Sequence, residues 1–345
     1  MTLTQRFFTF FAAIIFSNFV FAQKAEDFKT KIDHLITQTN PLPFNGAILI
    51  TKNKKILYQK AYGVTDFESK TPLKIDNRFE IMSNTKQMTS VLVLKEVENG
   101  NINLQTPIKK YLPNLTQSWA DSVTVHQLLN HTHGIIDVDK PLIFKPGTEF
   151  KYGNLSNVLL GQIIENVSHK TYRENITQLF KSLGMKNSSL FVQGNNPKLV
   201  KGYINNQNSF EVPTKPLITE ENLAADGVIT TVGDLAIWNT KLHNGKILKA
   251  NSYKLMTTPS TLSQHNVFGK EAQGYGYNIR IVTENGINYI GHTGLGDGFS
   301  SINVYIPKNK INIIIFENQM NENPELYYYY ETLIKNIILE SNLVN

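Results

Sequence analysis

The sequence predicts an α/β chain of the α+β kind, in which one antiparallel sheet is built from both ends of the chain and flanked by helices. A mainly helical lobe is inserted between those ends. Three observations predict this. Strand-like runs flank short polar turns early, over 46–62, and again from Gly274 onward. Helical periodicity fills most of the stretch between them. Strands at both ends with helices in the middle imply a single sheet drawn from both termini. At 345 residues, with 41% hydrophobic content, the chain can bury a substantial core. The expected organisation is a signal peptide over 1–22 and one domain over 23–345, with a sheet lobe at about 23–100 and 270–345 and a helical lobe at about 101–269.

Taken in order, Arg6 is followed by an almost wholly apolar run, Phe7 to Val20, and Ala22 offers a small residue where a signal peptidase reads. Cleavage after Ala22 and export to the periplasm or beyond are expected. The apolar run is shorter than the roughly 20 residues that span a bilayer, so no stable membrane span is expected after cleavage. Ala25 to Thr39 reads as an amphipathic helix with Phe28, Ile32, Leu35 and Ile36 on one face. Gly46–Ile50 and Ile56–Tyr62 flank a polar turn as a hairpin. From Ser83 to Glu98 there is no proline or glycine and apolar residues recur at helical spacing, so a helix begins near Ser83 and stops at Asn99-Gly100.

Short and long helices follow at Val125–Asn130, after Asn154, at Tyr172–Leu183 and at Thr231–His243, with polar loops over Asn187–Gln207. Strands then resume. Tyr275–Val282 and Asn288–His292 surround the turn signal Glu284-Asn285-Gly286, Ser300–Ile306 pairs with Ile311–Glu317, and Pro324–Leu339 closes the chain as a helix. No internal repeat or low-complexity linker is present.

Composition narrows the function classes. With no cysteine, thiol chemistry, disulfides and cysteine-based metal sites are excluded. The net charge of +6 drops by one when Arg6 leaves, and lysines are scattered among acidic residues, which gives little support to a nucleic-acid partner. His126, His131 and His133 lie near Asp137 and Asp139, but His131-x-His133 lacks a third ligand at fixed spacing, so no metal is expected there. No Gly-x-Ser-x-Gly elbow of the α/β-hydrolase type occurs.

The chemistry-bearing stretch is Ser83-x-x-Lys86. Residues three apart on a helix are neighbours, so a desolvated lysine can serve as base toward the serine, and a helix start offers unpaired N–H groups to developing negative charge. Alone the motif is weak, since composition predicts on the order of one or two such pairs in a chain of this size. Two further stretches are expected to meet it at the junction of sheet and helical lobe. These are Tyr152-Gly153-Asn154, after the loop Pro146-Gly147, and His292-Thr293-Gly294-Leu295-Gly296 on a late strand. A tyrosine there can shuttle protons, an asparagine can hold lysine and substrate carbonyl, and glycine beside a strand lets substrate backbone approach as an added strand.

With these stretches in place, the chain resembles the serine hydrolases of the class C β-lactamase and D-alanyl-D-alanine carboxypeptidase superfamily from about Gly46 to Glu317. Ser83-Asn84-Thr85-Lys86-Gln87 resembles the family's nucleophile motif, Tyr152-Gly153-Asn154 its tyrosine motif and His292-Thr293-Gly294 its strand motif. The flanks Leu128–Ile135, Pro146-Gly147 and Gly227–Thr231 also match in kind. The resemblance implies a β-lactamase-like fold, Ser83 as nucleophile, Lys86 and Tyr152 sharing the proton work, and Asn154 orienting the substrate amide. It also implies an oxyanion hole from the backbone N–H groups of Ser83 and Leu295, and substrate binding by His292, Thr293 and Gly294. No cofactor is implied. The partner is a small-molecule or peptide substrate: a cell-wall peptide, a β-lactam or an ester.

There are departures from the family pattern. Many family β-lactamases carry lysine at the position of His292, and histidine is mostly neutral near neutral pH, which turns the expectation toward a D,D-carboxypeptidase. A β-lactamase, esterase, D-aminopeptidase or catalytically idle binder of peptidoglycan or penicillin remains open. Asp226-Gly227 stands where a Gly-Gly pair is common. Tyr203-x-Asn205 repeats the tyrosine motif without its flanks and is read as coincidence, and Tyr327–Tyr330 as aromatics that pack the last helix.

Overall fold

The computed structural model describes residues 28–263, 267–270 and 272–344. The expected signal peptide, and the first three residues of the expected helix from Ala25, lie outside them. The central feature is an eight-stranded sheet whose order across the sheet is Thr261–Ser263, Gln273–Tyr275, Arg280–Glu284, Ile287–Gly296, Phe299–Ile306, Ile311–Glu317, Gly46–Lys52 and Lys55–Tyr62. Every pairing in it is antiparallel. The two ends of the chain meet where Gly46 pairs with Glu317 and Lys52 with Ile311.

Both faces of this sheet are covered, which is why the strand Ile311–Glu317 is buried along its whole length. Alternation sends Ile313 and Ile315 to one side, against Phe28, Ile32 and Ile36 of a helix over 28–36 and against Ile334 and Ile338 of the last helix. Ile314 and Phe316 face the other way, into a larger core shared with the middle of the chain. There the helix Lys86–Glu98 is buried at every position from Lys86 to Leu94. It is a central helix rather than a surface one.

Several local expectations are corrected. The strand read at Tyr275–Val282 is two strands, because Gly276 approaches the Met256 carbonyl oxygen so closely that a Cβ there would stand 2.1 Å away, and Asn278 takes a left-handed conformation. A helix at Ala250–Thr257 and the edge strand Thr261–Ser263 come from a stretch without a clear period. The closing helix is broken at Tyr328, which adopts φ 56°, into a short turn Pro324–Leu326 and the helix Tyr329–Leu339. Tyr328 and Tyr330 are buried while Tyr327 and Tyr329 are half-buried. Among the described residues no helix is long and apolar enough to cross a membrane.

A second, small sheet matters more for the site. Phe79–Glu80 pairs with Val228–Thr230, which also pairs with Ser189–Leu190. Strands this short carry no periodic signal in the sequence. They nevertheless bring the segment before Ser83 beside the segment after Asp226.

Candidate active site

Ser83 lies in a 3-10 turn, Met82–Thr85, that feeds directly into the helix Lys86–Glu98. Met82 ahead of it is held at φ 47°, a left-handed conformation that a bulky side chain adopts only under constraint. The constraint is visible in the polar run around the motif. Asn84 donates to Ser301 Oγ at 2.9 Å, Ser301 donates to the Ile81 carbonyl at 3.1 Å, and Gln87 donates to Asn84 at 3.1 Å. On the other side the Val228 amide donates to Thr85 Oγ1 at 3.1 Å, and the Ile81 amide to the Val228 carbonyl at 3.1 Å. Ser83 itself remains partly exposed at the top of this assembly.

The three-residue spacing has the geometric consequence expected of it. Lys86 Nζ donates to Ser83 Oγ at 2.7 Å. The ammonium is fully buried, so it requires partners, and it has them in Asn154 Oδ1 at 2.8 Å, the Ala225 carbonyl at 3.1 Å and Asp226 Oδ1 at 3.2 Å. Asp226 is 3% exposed and forms an ion pair with Lys86. Ser83 Oγ donates to the same Asp226 oxygen at 3.0 Å, and Asn154 Nδ2 donates to the other. Three sequence-predicted residues and one unpredicted carboxylate therefore form a closed polar cluster. The sequence marked Asp226 only as a departure, standing where a Gly-Gly pair is common, and gave it no role.

Tyr152 forms the wall beside this cluster, with Lys86 Nζ 5.3 Å from its ring centroid. Its loop is tied down by backbone bonds from Lys151 to the His131 carbonyl and from Gly147 to that of Thr132. His131 packs against the ring at 4.6 Å and is clamped by Ser156 Oγ at 3.1 Å and Asn278 Oδ1 at 3.1 Å. Burial above all, then the nearby charges of His133, Lys86, His292 and Arg280, holds the His131 imidazole well below its ordinary value, so it is a neutral wall. Burial likewise lowers His133 to about 4. These histidines are packing groups.

The late strand departs from expectation in two respects. His292 is fully buried, its Nε2 bonded to Tyr275 Oη at 3.1 Å and its Nδ1 to the Thr293 carbonyl at 2.7 Å. Its ring lies 6.1 Å from that of Tyr152, so it backs the aromatic wall. Gly294 is required for a different approach than that of substrate. A Cβ there would stand 2.1 Å from the Ile81 carbonyl oxygen and 2.6 Å from Ser301 Oγ, so glycine lets the strand press against the turn that carries Ser83. Leu295, the next residue along the strand, is partly exposed, while Thr293 is buried. Past Gly291 the strand loses its neighbour, because the pairing with Arg280–Glu284 ends at Arg280. Among the described residues this stretch of strand edge is unpaired, and of residues 292–296 only Leu295 is partly exposed.

Arg280 is a residue that sequence reasoning did not single out. It is buried, donates to Ser263 Oγ at 2.6 Å, and lies 5.7 Å from the Tyr152 ring centroid and 5.3 Å from that of Tyr275. Its Nε has no hydrogen-bond partner among the described residues. Tyr203 and Asn205 lie elsewhere, in a separate small sheet, with Tyr203 Oη bonded to Asp66 at 3.1 Å.

Comparison with known proteins gives consistent findings. The family model described as Beta-lactamase matches residues 44–332. Protein flp of Staphylococcus aureus (strain MRSA252) is 30% identical over 342 residues, covering 90% of this chain and 67% of that protein. The octameric penicillin-binding protein homologue from Pyrococcus abyssi superposes with a TM-score of 0.76 at 26% identity, over 93% of this chain and 78% of that one. The D-amino acid amidase of Ochrobactrum anthropi SV3 superposes with a TM-score of 0.77 over 91% and 98% of the two chains; at 20% identity this is a likeness of fold.

Proposed function

Since this chain belongs to the Beta-lactamase family, we propose that it is a serine hydrolase working through an acyl-Ser83 intermediate, as a peptidase of the D,D-carboxypeptidase and penicillin-binding type. The observation that carries the reading is the 2.7 Å contact between Lys86 Nζ and the partly exposed Ser83 Oγ, beside Tyr152 and an unpaired strand edge. A hydroxyl so placed can attack a carbonyl lying along that edge. The backbone N–H groups of Ser83 and Leu295 take the oxyanion role, Lys86 and Tyr152 serve proton transfer, and Asn154 orients the substrate amide. The residues of the strand edge from Thr293 to Leu295 hold the substrate backbone.

A peptide ending in a carboxylate is favoured over a neutral ester by Arg280, a buried cation behind Tyr152. The likeness to a penicillin-binding protein homologue supports the same choice. The apolar leader read in residues 1–22 supports action outside the cytoplasm, where such peptides occur.

The test is intact-mass spectrometry of the protein mixed separately with a penicillin, a D-alanyl-D-alanine peptide and p-nitrophenyl acetate, alongside Ser83→Ala. A penicillin adduct on the wild type, lost in the variant, together with release of D-alanine, is the expected result. Consumption of penicillin without adduct would instead assign a β-lactamase, ester turnover alone an esterase, and an adduct without any turnover an idle binder. Hydrolysis by Ser83→Ala at the wild-type rate would remove Ser83 from the mechanism.

A further inference from the structure

We propose that Asp226 is a further catalytic residue, the group that accepts the Ser83 proton during acylation, while Lys86 remains an ammonium that steadies the serine oxygen. The inference rests on the acyl-Ser83 reading and deepens it. Where the family pattern leads one to expect glycine, this chain has a carboxylate in direct contact with the nucleophile.

The Asn154 amide is oriented by its Nδ2, which donates to Asp226, so its Oδ1 faces Lys86 and can only accept. The Ala225 carbonyl also can only accept. With Asp226 Oδ1 at 3.2 Å, three groups that can only accept surround Lys86 Nζ and match the three hydrogens of an ammonium, which has no lone pair to take a proton from serine. The fourth neighbour, Ser83 Oγ at 2.7 Å, shares one of those hydrogens. The hydrogen of Ser83 points at Asp226 Oδ1, 3.0 Å away. The remaining charged group near Asp226 is Asp297, whose carboxyl is pushed up chiefly by burial and in part by Asp226 itself.

The step balances. As Ser83 Oγ forms its bond to the acyl carbon, the carbonyl π electrons move to the oxyanion and the hydroxyl proton passes to Asp226. When the tetrahedral intermediate collapses, the bond to the leaving nitrogen breaks and that nitrogen takes a proton through Lys86, which recovers one from Asp226. Deacylation runs the same path with water: its proton goes to Asp226 and then to the departing Ser83 oxygen.

The experiment compares wild type, Asp226→Asn, which keeps the shape, and Asp226→Gly, which restores the common family residue. Acyl-Ser83 formation from p-nitrophenyl acetate is timed by quenched intact mass from pH 4 to 10, and the Lys86 Cε signal of lysine-labelled protein is followed by NMR over the same range. In wild type acylation should be lost only at the acid end of that range, and the Lys86 signal should not change across the acid limb. In Asp226→Asn, acylation at pH 7 should fall about 100-fold or more and the acid limb should move up by at least about two pH units, because Lys86 must now lose its proton to act as base. Variants within about threefold of wild type, a lower rate with an unmoved pH profile, or a neutral Lys86 at pH 7 in wild type would each overturn the assignment. If wild type forms no adduct with any of the three probes, the hydrolase reading itself fails and takes this one with it; normal wild-type acylation with an unmoved profile sinks only the role of Asp226.

Discussion

At the scale of single residues, the cluster of Ser83, Lys86, Asn154 and Asp226 is a buried ion pair with one opening toward solvent. Removing one partner of such a pair strands the other charge without compensation, whereas removing both leaves only a packing change. Lys86→Met keeps most of the side-chain volume and should destabilise the protein by about 3–5 kcal/mol, while the double change Lys86→Met with Asp226→Asn should recover most of that loss. Urea unfolding of the two variants checks this, and equal losses would mean that the pair is not electrostatically coupled. Ser83, Lys86, Tyr152 and Asn154 were legible in the sequence because each sits in a motif whose spacing survives translation into three dimensions. Asp226 stood out only as a departure from the family pattern and Arg280 not at all, because a lone charge acquires a role only from what the fold places around it.

At the scale of elements, the site is held by the contact between the turn Met82–Thr85 and the strand Ile287–Gly296. The strand approaches so closely that Gly294 has no room for a Cβ. Gly294→Ala should therefore cost about 1–3 kcal/mol in stability and push Leu295 away from Ser83. Acylation should fall by at least about tenfold as the two backbone N–H groups separate, since donors of this kind act only when aimed at the developing charge. Thermal unfolding and single-turnover acylation measure the two effects, and an unchanged acylation rate would remove Leu295 from the oxyanion role.

Long elements with a clear apolar run or period, such as the strand Ile311–Glu317 and the helix Tyr172–Leu183, were recognisable from sequence alone. The two-residue strand Phe79–Glu80 was not, and the last helix was read through its break at Tyr328. Tertiary contacts override local preference where an element is only a few residues long.

At the scale of the whole molecule, burial of titratable groups on both faces of the sheet gives stability a pH optimum. Burial lowers His133 to about 4 and His243 to about 3, so the unfolded chain takes up their protons first as pH falls below the ordinary imidazole value of 6.5, and stability is lost on that side. Burial raises Glu80 to about 8 and holds the Glu317 carboxyl well above its ordinary value, with neighbouring Glu331 adding to the effect. The unfolded chain gives up these protons first as pH rises above 4.5, and stability is lost on the other side. Glu317→Gln keeps an amide that can hydrogen-bond without charge. It should stabilise the protein relative to wild type by more than about 1 kcal/mol at pH 8 and by less at pH 5, since each tenfold difference in proton affinity between folded and unfolded chain is worth about 1.4 kcal/mol. Denaturation followed through buried Trp119 and Trp238 at the two pH values tests it, and an equal gain at both would rule out titration as the cause.

By itself the sequence determined the covering of the sheet and the spacing of the reactive groups. The nearly continuous apolar run over Ile311–Phe316 and helical periodicity elsewhere dictate which faces leave water, and the three-residue interval from Ser83 to Lys86 dictates that those side chains meet. Only the tertiary structure decided which charges share the site. Asp226 reaches Ser83 through the pairing of Phe79–Glu80 with Val228–Thr230, and Arg280 reaches Tyr152 through the end of a strand. Such contacts join residues more than a hundred positions apart, and local chain geometry carries no information about them.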